Sequence, residues 1–129
     1  MSAEYKPEGY PAVSPYLVIN GAQRAIDFLK QAFDATELRR YDNADGTVMH
    51  VELRIGESVI MMGDSGGQWP AFPSWLHVYV KDVDETYRRA LAAGGESAQA
   101  PTQKKGDPDR RGGVKDPSGN TWWIATQMS

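Results

Sequence analysis

Apolar and polar positions along this chain follow two alternating periods, and the order of these periods is the same in both halves. Alternation of every second residue predicts a strand over residues 12–19, and helical periodicity predicts an amphipathic helix over residues 21–33. Three more strands, each bounded by turn-forming residues, are predicted at residues 37–41, 48–55 and 58–62. The first half therefore predicts one strand, one helix and three strands.

The second half repeats this order after a Gly-, Pro- and Ser-rich linker at residues 63–74. A strand, a helix and a short strand are predicted at residues 75–80, 83–93 and 96–100. The polar segment 101–113 predicts a loop, and a hairpin turn at Asp116–Gly119 leads into a last strand at residues 121–126. The second half is thus typical of the same supersecondary unit as the first.

Two pairs of segments support an internal repeat. Tyr16–Ile19 aligns with His77–Val80, and Ser58–Met62 aligns with Asn120–Ile124. Order, spacing and the final hairpin agree between the halves, which is the pattern of a duplicated unit.

The length of the chain limits the number of domains. A chain of 129 residues is long enough to bury one ordinary core. The sequence therefore predicts an α+β fold in which two tandem βαβββ modules, about residues 12–63 and 75–127, form a single domain over residues 1–129.

Charge and composition exclude several classes of function. The net charge of −3 and the pI near 5.3 argue against general nucleic-acid binding, because that function needs a basic face. Cysteine is absent, which excludes disulfides, thiol catalysis and zinc sites with cysteine ligands. No apolar stretch has the length of a membrane span, and the polar segment 1–10 lacks the pattern of a signal peptide. The sequence predicts a cytoplasmic protein that binds neither nucleic acid nor membrane.

Two motifs carry a resemblance to a known family. Met49-His-Val-Glu-Leu-Arg-Ile-Gly56 and Gly112-Gly-Val-Lys-Asp-Pro-Ser-Gly-Asn-Thr-Trp-Trp-Ile-Ala-Thr126 resemble the PhnB-like, glyoxalase-related branch of the vicinal oxygen chelate superfamily. That superfamily includes glyoxalase I, bleomycin-resistance proteins and extradiol dioxygenases, and the likeness covers residues 12–127. The resemblance implies a mixed sheet curled into a cup and a homodimer of paired or swapped chains.

The resemblance also implies where a metal ion would be bound. Metal-dependent relatives use one His or Glu from each of four cup-facing strand positions, which fall here on Ser14, Met61, Trp75 and Trp123. None of these residues is an imidazole or a carboxylate, so we expect no metal and no other cofactor at this constellation. A displaced set of His50, Glu52 and His77 remains as an alternative, since all three are expected on the cup face.

Alternation within the strands separates a core face from the cup face. In segment 75–80 every second residue is aliphatic and is expected to pack under a helix, and in segment 49–54 Met49, Val51 and Leu53 have this role. The opposite face is predicted to line the cup with Ser14, Tyr16, His50, Glu52, Met61, Trp75, His77, Tyr79 and Trp123. An aromatic cavity with a few polar anchors is typical of a small-molecule pocket.

The adjacent tryptophans of the last strand must point to opposite faces. Pairing with Ile60 and Met62 assigns Trp122 to the core and leaves Trp123 in the cup. Trp75 and Trp123 have two interpretations, either packing at a dimer seam or a stacking platform for a flat or cationic ligand.

The basic residues of segment 101–113 also have two interpretations. Lys104, Lys105, Arg110 and Arg111 could form a lid that recruits an anionic substrate, or a solvated loop partly balanced by Asp107 and Asp109.

Three functions follow from these observations. The leading hypothesis is a metal-free homodimer that binds a small aromatic or amphipathic molecule in the cup, and drug-resistance relatives imply sequestration. The alternative is a lyase, isomerase or dioxygenase that uses a displaced metal site or acid–base chemistry by His50 and Glu52, with His77 as a further candidate. The third is a structural dimer whose cup is filled by its own side chains. The sequence does not identify the ligand.

Overall fold

The computed structural model describes residues 5–129, so residues 1–4 of the polar segment 1–10 lie outside the described chain. Two helices and eight strands follow one another along it. In chain order they are β1 Tyr16–Ile19, α1 Ala22–Phe33, β2 Thr36–Asp42, β3 Val48–Ile55, β4 Ser58–Asp64, β5 Trp75–Tyr79, α2 Val83–Ala92, β6 Glu96–Thr102, β7 Asp109–Lys115 and β8 Thr121–Gln127. Neither helix combines the length and the apolar character needed to cross a membrane.

Each half of the chain forms a four-stranded mixed sheet. The strand orders are β1-β4-β3-β2 and β5-β8-β7-β6, with β1 parallel to β4 and β5 parallel to β8. The remaining pairs are antiparallel. The predicted α+β fold of two tandem βαβββ modules is confirmed.

The strand register confirms the internal repeat. Tyr16 lies opposite Met61 in the first module, and His77 lies opposite Trp123 in the second. These are the pairs that the alignment of the two halves makes equivalent. We call residues 5–64 module 1 and residues 75–129 module 2.

A single hydrophobic cluster lies between the sheets and the helices of both modules. The apolar face of α1 buries Ile26, Phe28 and Leu29 completely or nearly so. Phe33 at the end of α1 contacts Trp122 of β8 with ring centroids 5.2 Å apart, which joins the core of module 1 to that of module 2. Trp122 is therefore a core residue, as predicted.

The turn before β8 is held by a buried carboxylate. Asp116 accepts hydrogen bonds from the backbone N–H groups of Ser118 and Asn120 and from Nε1 of Trp122, the last at 2.9 Å. Asp116 is only 5% exposed, so these donors are satisfied inside the protein. The Asp-Pro-Ser-Gly-Asn-Thr-Trp motif is thus a structural device that links the turn to the core.

The predicted loop over residues 101–113 is wrong, because β6 extends to Thr102 and β7 begins at Asp109. β7 pairs with β6 on one side and with β8 on the other, and its backbone hydrogen bonds do not depend on apolar side chains. Because β7 consists mainly of polar and glycine residues, its sequence pattern did not predict a central strand. Only residues 103–108 connect the two strands. The predicted first strand, 12–19, is also shorter in the structure, where it starts at Tyr16.

The predicted core position of Met49 is wrong as well. Asp42 lies opposite Val48 and Tyr41 lies opposite His50, so Met49 is the extra residue of a β-bulge. Met49 is 54% exposed, whereas Val48 is buried. Beyond the bulge the predicted alternation holds, and Val51 is buried.

Candidate functional site

Three predicted cup residues of module 1 form a continuous hydrogen-bonded chain. The Oη atom of Tyr16 lies 3.1 Å from Nδ1 of His50, and Nε2 of His50 lies 2.8 Å from Oε2 of Glu52. The register brings them together, because Met61 on β4 lies between Tyr16 on β1 and Glu52 on β3. These four side chains share one face of the sheet, as predicted.

Glu52 is the buried end of this chain and is 4% exposed. Its second oxygen, Oε1, accepts a 2.5 Å hydrogen bond from the hydroxyl of Tyr10, and Nε of Arg39 lies 3.9 Å from the same oxygen. Burial opposes ionisation of Glu52, but the hydrogen bonds from His50 and Tyr10 outweigh it and hold the pKa of Glu52 below its ordinary value. Glu52 is therefore a carboxylate at neutral pH.

Tyr10 was not predicted from the sequence. It lies before β1 in a Pro- and Gly-containing segment without strand or helix periodicity, and it is 42 positions away from Glu52 in the chain. Its hydrogen bond to Glu52 raises the pKa of its hydroxyl, so Tyr10 acts as a donor. No local pattern could have found this contact.

The charge of Glu52 decides the state of the neighbouring imidazole. An ionised carboxylate can only accept, so Nε2 of His50 carries the proton that faces it. In the neutral ring, Nδ1 then presents a lone pair and accepts the hydroxyl proton of Tyr16. Burial and the charge of Glu52 raise the pKa of Tyr16, so this hydroxyl keeps its proton. The donors point in one direction, from Tyr16 through His50 to Glu52.

Module 2 holds a different polar cluster at the equivalent place. Nε of Arg111 donates to Nε2 of His77 at 3.1 Å, and the other guanidinium nitrogens donate to Asp107 at 2.8 Å and to Asp109 at 3.0 Å. The hydroxyl of Tyr79 donates to Asp109 at 2.6 Å. Burial and the charge of Arg111 lower the pKa of His77, so its ring is a neutral acceptor. Arg111 belonged to the segment predicted as a loop, which concealed its place in the site.

Aromatic rings cover the same face of module 2. Trp75 and Trp123 meet edge to face with centroids 5.2 Å apart, and the rings of His77 and Tyr79 lie 4.9 Å apart. Trp75 is 74% exposed and Tyr79 is 63% exposed. Trp123 lies against Gly113, and its Nε1 is buried without a hydrogen-bond partner within residues 5–129. This face offers flat apolar surfaces fixed by neighbouring side chains.

A groove of about 1040 Å³ runs between the first strands of the two modules, and we call it the β1–β5 groove. Four predicted cup residues line it, namely Tyr16, Trp75, His77 and Tyr79. The other five do not, namely Ser14, His50, Glu52, Met61 and Trp123. Sequence analysis missed further apolar residues that line it, including Val13, Pro15, Phe33, Ile55 and Trp122. The predicted site is thus divided between an open groove and the hydrogen-bonded chain behind Tyr16.

The residues present do not fit the metal ion that the resemblance to metal-dependent relatives implies. Two of the four expected ligand positions hold Trp75 and Trp123, whose indoles occupy the space by contacting each other. In the alternative set, Nε2 of His50 faces Glu52 and Nε2 of His77 faces Arg111. Across the described chain, no three His, Cys, Asp or Glu side chains are placed to hold an ion together. His50, Glu52 and His77 therefore do not form one centre.

Comparisons with known proteins agree with this architecture. An uncharacterized protein of Mycobacterium bovis, Mb0911c, is 39% identical over 123 residues, which cover 87% of this chain and 80% of the relative. The crystal structure of TioX from Micromonospora sp. ML1 superposes with a TM-score of 0.72 at 27% identity, covering 90% of this chain and 95% of TioX. A PhnB protein from Bacillus cereus, described as a putative 3-demethylubiquinone-9 3-methyltransferase, has the same fold. Its TM-score is 0.67 at 18% identity, and the superposition covers 90% of this chain and 99% of that one.

The predicted resemblance to the glyoxalase, bleomycin-resistance and dioxygenase superfamily is confirmed by a family model. That model matches residues 12–124, which is most of the chain. The chain belongs to the Glyoxalase/Bleomycin resistance protein/Dioxygenase superfamily.

Proposed function

We propose that this protein binds a small aromatic or amphipathic molecule in the β1–β5 groove without the help of a metal ion. The observation that carries the proposal is the row of exposed rings along this groove. Trp75, Tyr79 and Tyr16 are 74%, 63% and 44% exposed, and all three line the same cavity. Contiguous aromatic exposure of this kind marks binding surfaces, whereas rings exposed singly are ordinary. The volume of about 1040 Å³ lies at the upper end of that of small-molecule pockets.

The aromatic surface is also fixed in advance, which favours binding. Asp109 is 5% exposed and holds both Tyr79 and Arg111, and Arg111 in turn holds His77. A ring that is already ordered loses little conformational entropy when a ligand stacks on it. A flat or amphipathic molecule therefore gains stacking energy here at low cost.

A second part of the proposal is that two copies of the chain form the working unit. Within the described chain, β1 pairs only with β4 and β5 pairs only with β8, so neither strand that borders the groove has a second strand beside it. On this edge of β1, the N–H of Phe72 donates to the carbonyl oxygen of Val18. Free strand edges next to apolar surface are a liability that proteins normally cover. A second copy along these edges would cover them and close the groove. Light scattering after size exclusion tests this: we expect about twice the 14.3 kDa of one chain, and a monomer would contradict it.

The binding proposal is tested with the amphipathic aromatic probe 8-anilinonaphthalene-1-sulfonate. We expect saturable binding by the dialysed, metal-free protein, with unchanged affinity in EDTA. Trp75→Leu is expected to weaken binding about tenfold, because it removes one stacking surface. Trp69→Leu is the matched control, since Trp69 is 62% exposed but lies outside the groove. Equal affinity of the two variants, or a stoichiometric metal in the purified protein that binding needs, would contradict the proposal.

A second candidate function is proton transfer at His50. The observation that favours it is the oriented contact between His50 and the buried Glu52, at 2.8 Å, because a base held by a third group is the usual arrangement in acid–base catalysis. Deuterium exchange at the methylene carbon of phenylpyruvate tests it. Acceleration by the wild type that is lost in His50→Gln supports this function, and an uncatalysed rate excludes it for this carbonyl acid.

A further inference from the structure

The chain of hydrogen bonds from Tyr16 to Glu52 ends at the ligand groove, and its members His50 and Glu52 have no part in stacking. Tyr16 lines the β1–β5 groove, whereas His50 and Glu52 lie behind it. Both oxygens of the buried Glu52 are hydrogen-bonded, and a satisfied polar network of this kind holds its members in fixed positions. Tyr16 is therefore the member of this hydrogen-bonded series that a molecule in the groove would contact.

The direction of the hydrogen bonds determines which atom Tyr16 offers to a ligand. Ionised Glu52 accepts from Nε2 of His50, and in the neutral imidazole Nδ1 is then left to accept from Tyr16. In that state the hydroxyl proton of Tyr16 is directed towards His50 and not into the groove. The oxygen of Tyr16 keeps free lone pairs and no free proton. Hydrogen bonds in a row polarise one another, and the negative charge of Glu52 at the far end makes the oxygen of Tyr16 a better acceptor.

We propose that Tyr16 is a specificity-determining subsite that selects aromatic ligands carrying an O–H or N–H donor, such as phenols and indoles. This inference rests on the proposed binding function and names the ligand class of that same groove. Trp75 and Tyr79 stack on the flat part of the ligand, and the oxygen of Tyr16 accepts the donor on its rim. An ether or a carbonyl at the same point would face lone pairs on both sides and would be disfavoured.

The other members of the chain are positioning residues, because they act on the ligand only through Tyr16. Ionised Glu52 fixes the tautomer of His50, and Tyr10 occupies the second oxygen of Glu52. If residue 52 could donate a proton to Nε2, the imidazole could reverse and donate to Tyr16. Tyr16 would then turn its own proton into the groove and lose its preference for donors.

A matched pair of probes tests the subsite directly. 2-Naphthol and 2-methoxynaphthalene have the same ring system and differ in one O–H donor. Tryptophan fluorescence quenching gives both affinities, and we expect the wild type to bind 2-naphthol about tenfold more tightly, the size of one hydrogen bond. Tyr16→Phe should bring the two affinities together by weakening 2-naphthol alone.

Glu52→Gln is the test for the positioning role. It keeps the size of the side chain but allows it to donate to His50, so the ratio of the two affinities should fall towards one. A variant that only disturbed the fold would weaken both probes and leave the ratio unchanged. Tyr87→Phe is the control, because the hydroxyl of Tyr87 donates to Ser97 on module 2, outside the groove.

The outcomes separate this inference from the proposed function. Equal binding of both probes by the wild type, or a preference for 2-naphthol that survives Tyr16→Phe, overturns the subsite and leaves groove binding intact. Failure of both probes to bind overturns both proposals. A tenfold ratio that is lost in Tyr16→Phe, reduced in Glu52→Gln and kept in Tyr87→Phe establishes it.

Discussion

Gly113 of β7 lies opposite Trp123 of β8. The indole ring of Trp123 fills the space that a side chain at position 113 would need. The equivalent position in module 1 is Glu52, which lies opposite Met61. One place in the duplicated sheet therefore carries a carboxylate in module 1 and makes room for an indole in module 2. This exchange gives the protein a polar half and an aromatic half.

Replacing Gly113 by alanine tests this packing. A Cβ atom at position 113 would lie 2.6 Å from the Trp123 ring, and that ring is also in contact with Trp75, so it must move as a unit. We expect Gly113→Ala to lower the free energy of unfolding by about 1–3 kcal/mol, the usual cost of overpacking. Urea unfolding measures the loss, and near-ultraviolet circular dichroism reports the displaced indoles.

A double variant provides the control for this prediction. Trp123→Leu removes the ring that the new methyl group meets, so Gly113→Ala should cost much less in that background. The two changes should therefore show a clear coupling energy in a double-mutant cycle. Additive effects would mean that the alanine acts through the backbone and not through the indole.

The facing of most strand residues could be predicted because it depends on local alternation and on the repeat. Trp122 and Trp123 were assigned to opposite faces correctly, and the predicted equivalence of Tyr16 and His77 agrees with the register of the two sheets. The predicted core position of Met49 was wrong because a single bulge residue reverses the alternation on one side of it. Nothing in the local sequence marks the bulge.

The site itself could be predicted only in part, because its contacts join distant segments. Tyr10 reaches Glu52 across 42 positions, and Arg111 reaches His77 across 34. Tyr10 lies in a segment without periodicity. Arg111 lies in a strand that was not predicted, because most of its side chains are polar. Alternation identified the faces, but it does not tell which residues on a face line the groove.

The carboxylate of Asp116 satisfies four donors of the last hairpin at once, two backbone N–H groups, the amide of Asn120 and Nε1 of Trp122. Asp116→Asn replaces one acceptor oxygen by an N–H group, which leaves buried donors such as Nε1 of Trp122 without a partner. We expect a loss of about 2–3 kcal/mol in the free energy of unfolding. Thermal or urea unfolding measures it.

Asp45→Asn is the matched control for this hairpin. Asp45 also accepts a backbone hydrogen bond inside a turn, from Thr47 at 2.9 Å, but in an exposed position where water can replace it. Its substitution should change stability far less than Asp116→Asn. Equal losses would show that turn formation, and not the buried contact with Trp122, determines the contribution of Asp116.

The acid sensitivity of the fold depends on Glu52. Hydrogen bonds from His50 and Tyr10 outweigh the effect of burial and lower the pKa of Glu52, so as the pH falls the unfolded chain takes up this proton first. The stabilisation by Glu52 is therefore present above its ordinary value of about 4.3 and is lost as the pH falls through the lowered folded value. We expect Glu52→Gln to be less stable than the wild type at neutral pH, with a difference that shrinks in acid. Urea unfolding across this pH range measures both.

Tyr10→Phe tests the cause of this pH dependence. It keeps the charge of Glu52 but removes the hydrogen bond to Oε1, so the pKa of Glu52 should rise towards its ordinary value. The wild-type loss of stability in acid should then become smaller without disappearing, because His50 still donates to Oε2. A difference between wild type and Glu52→Gln that stays constant with pH would show that Glu52 contributes by its shape. A Tyr10→Phe curve identical to that of the wild type would assign the effect to His50 and Arg39.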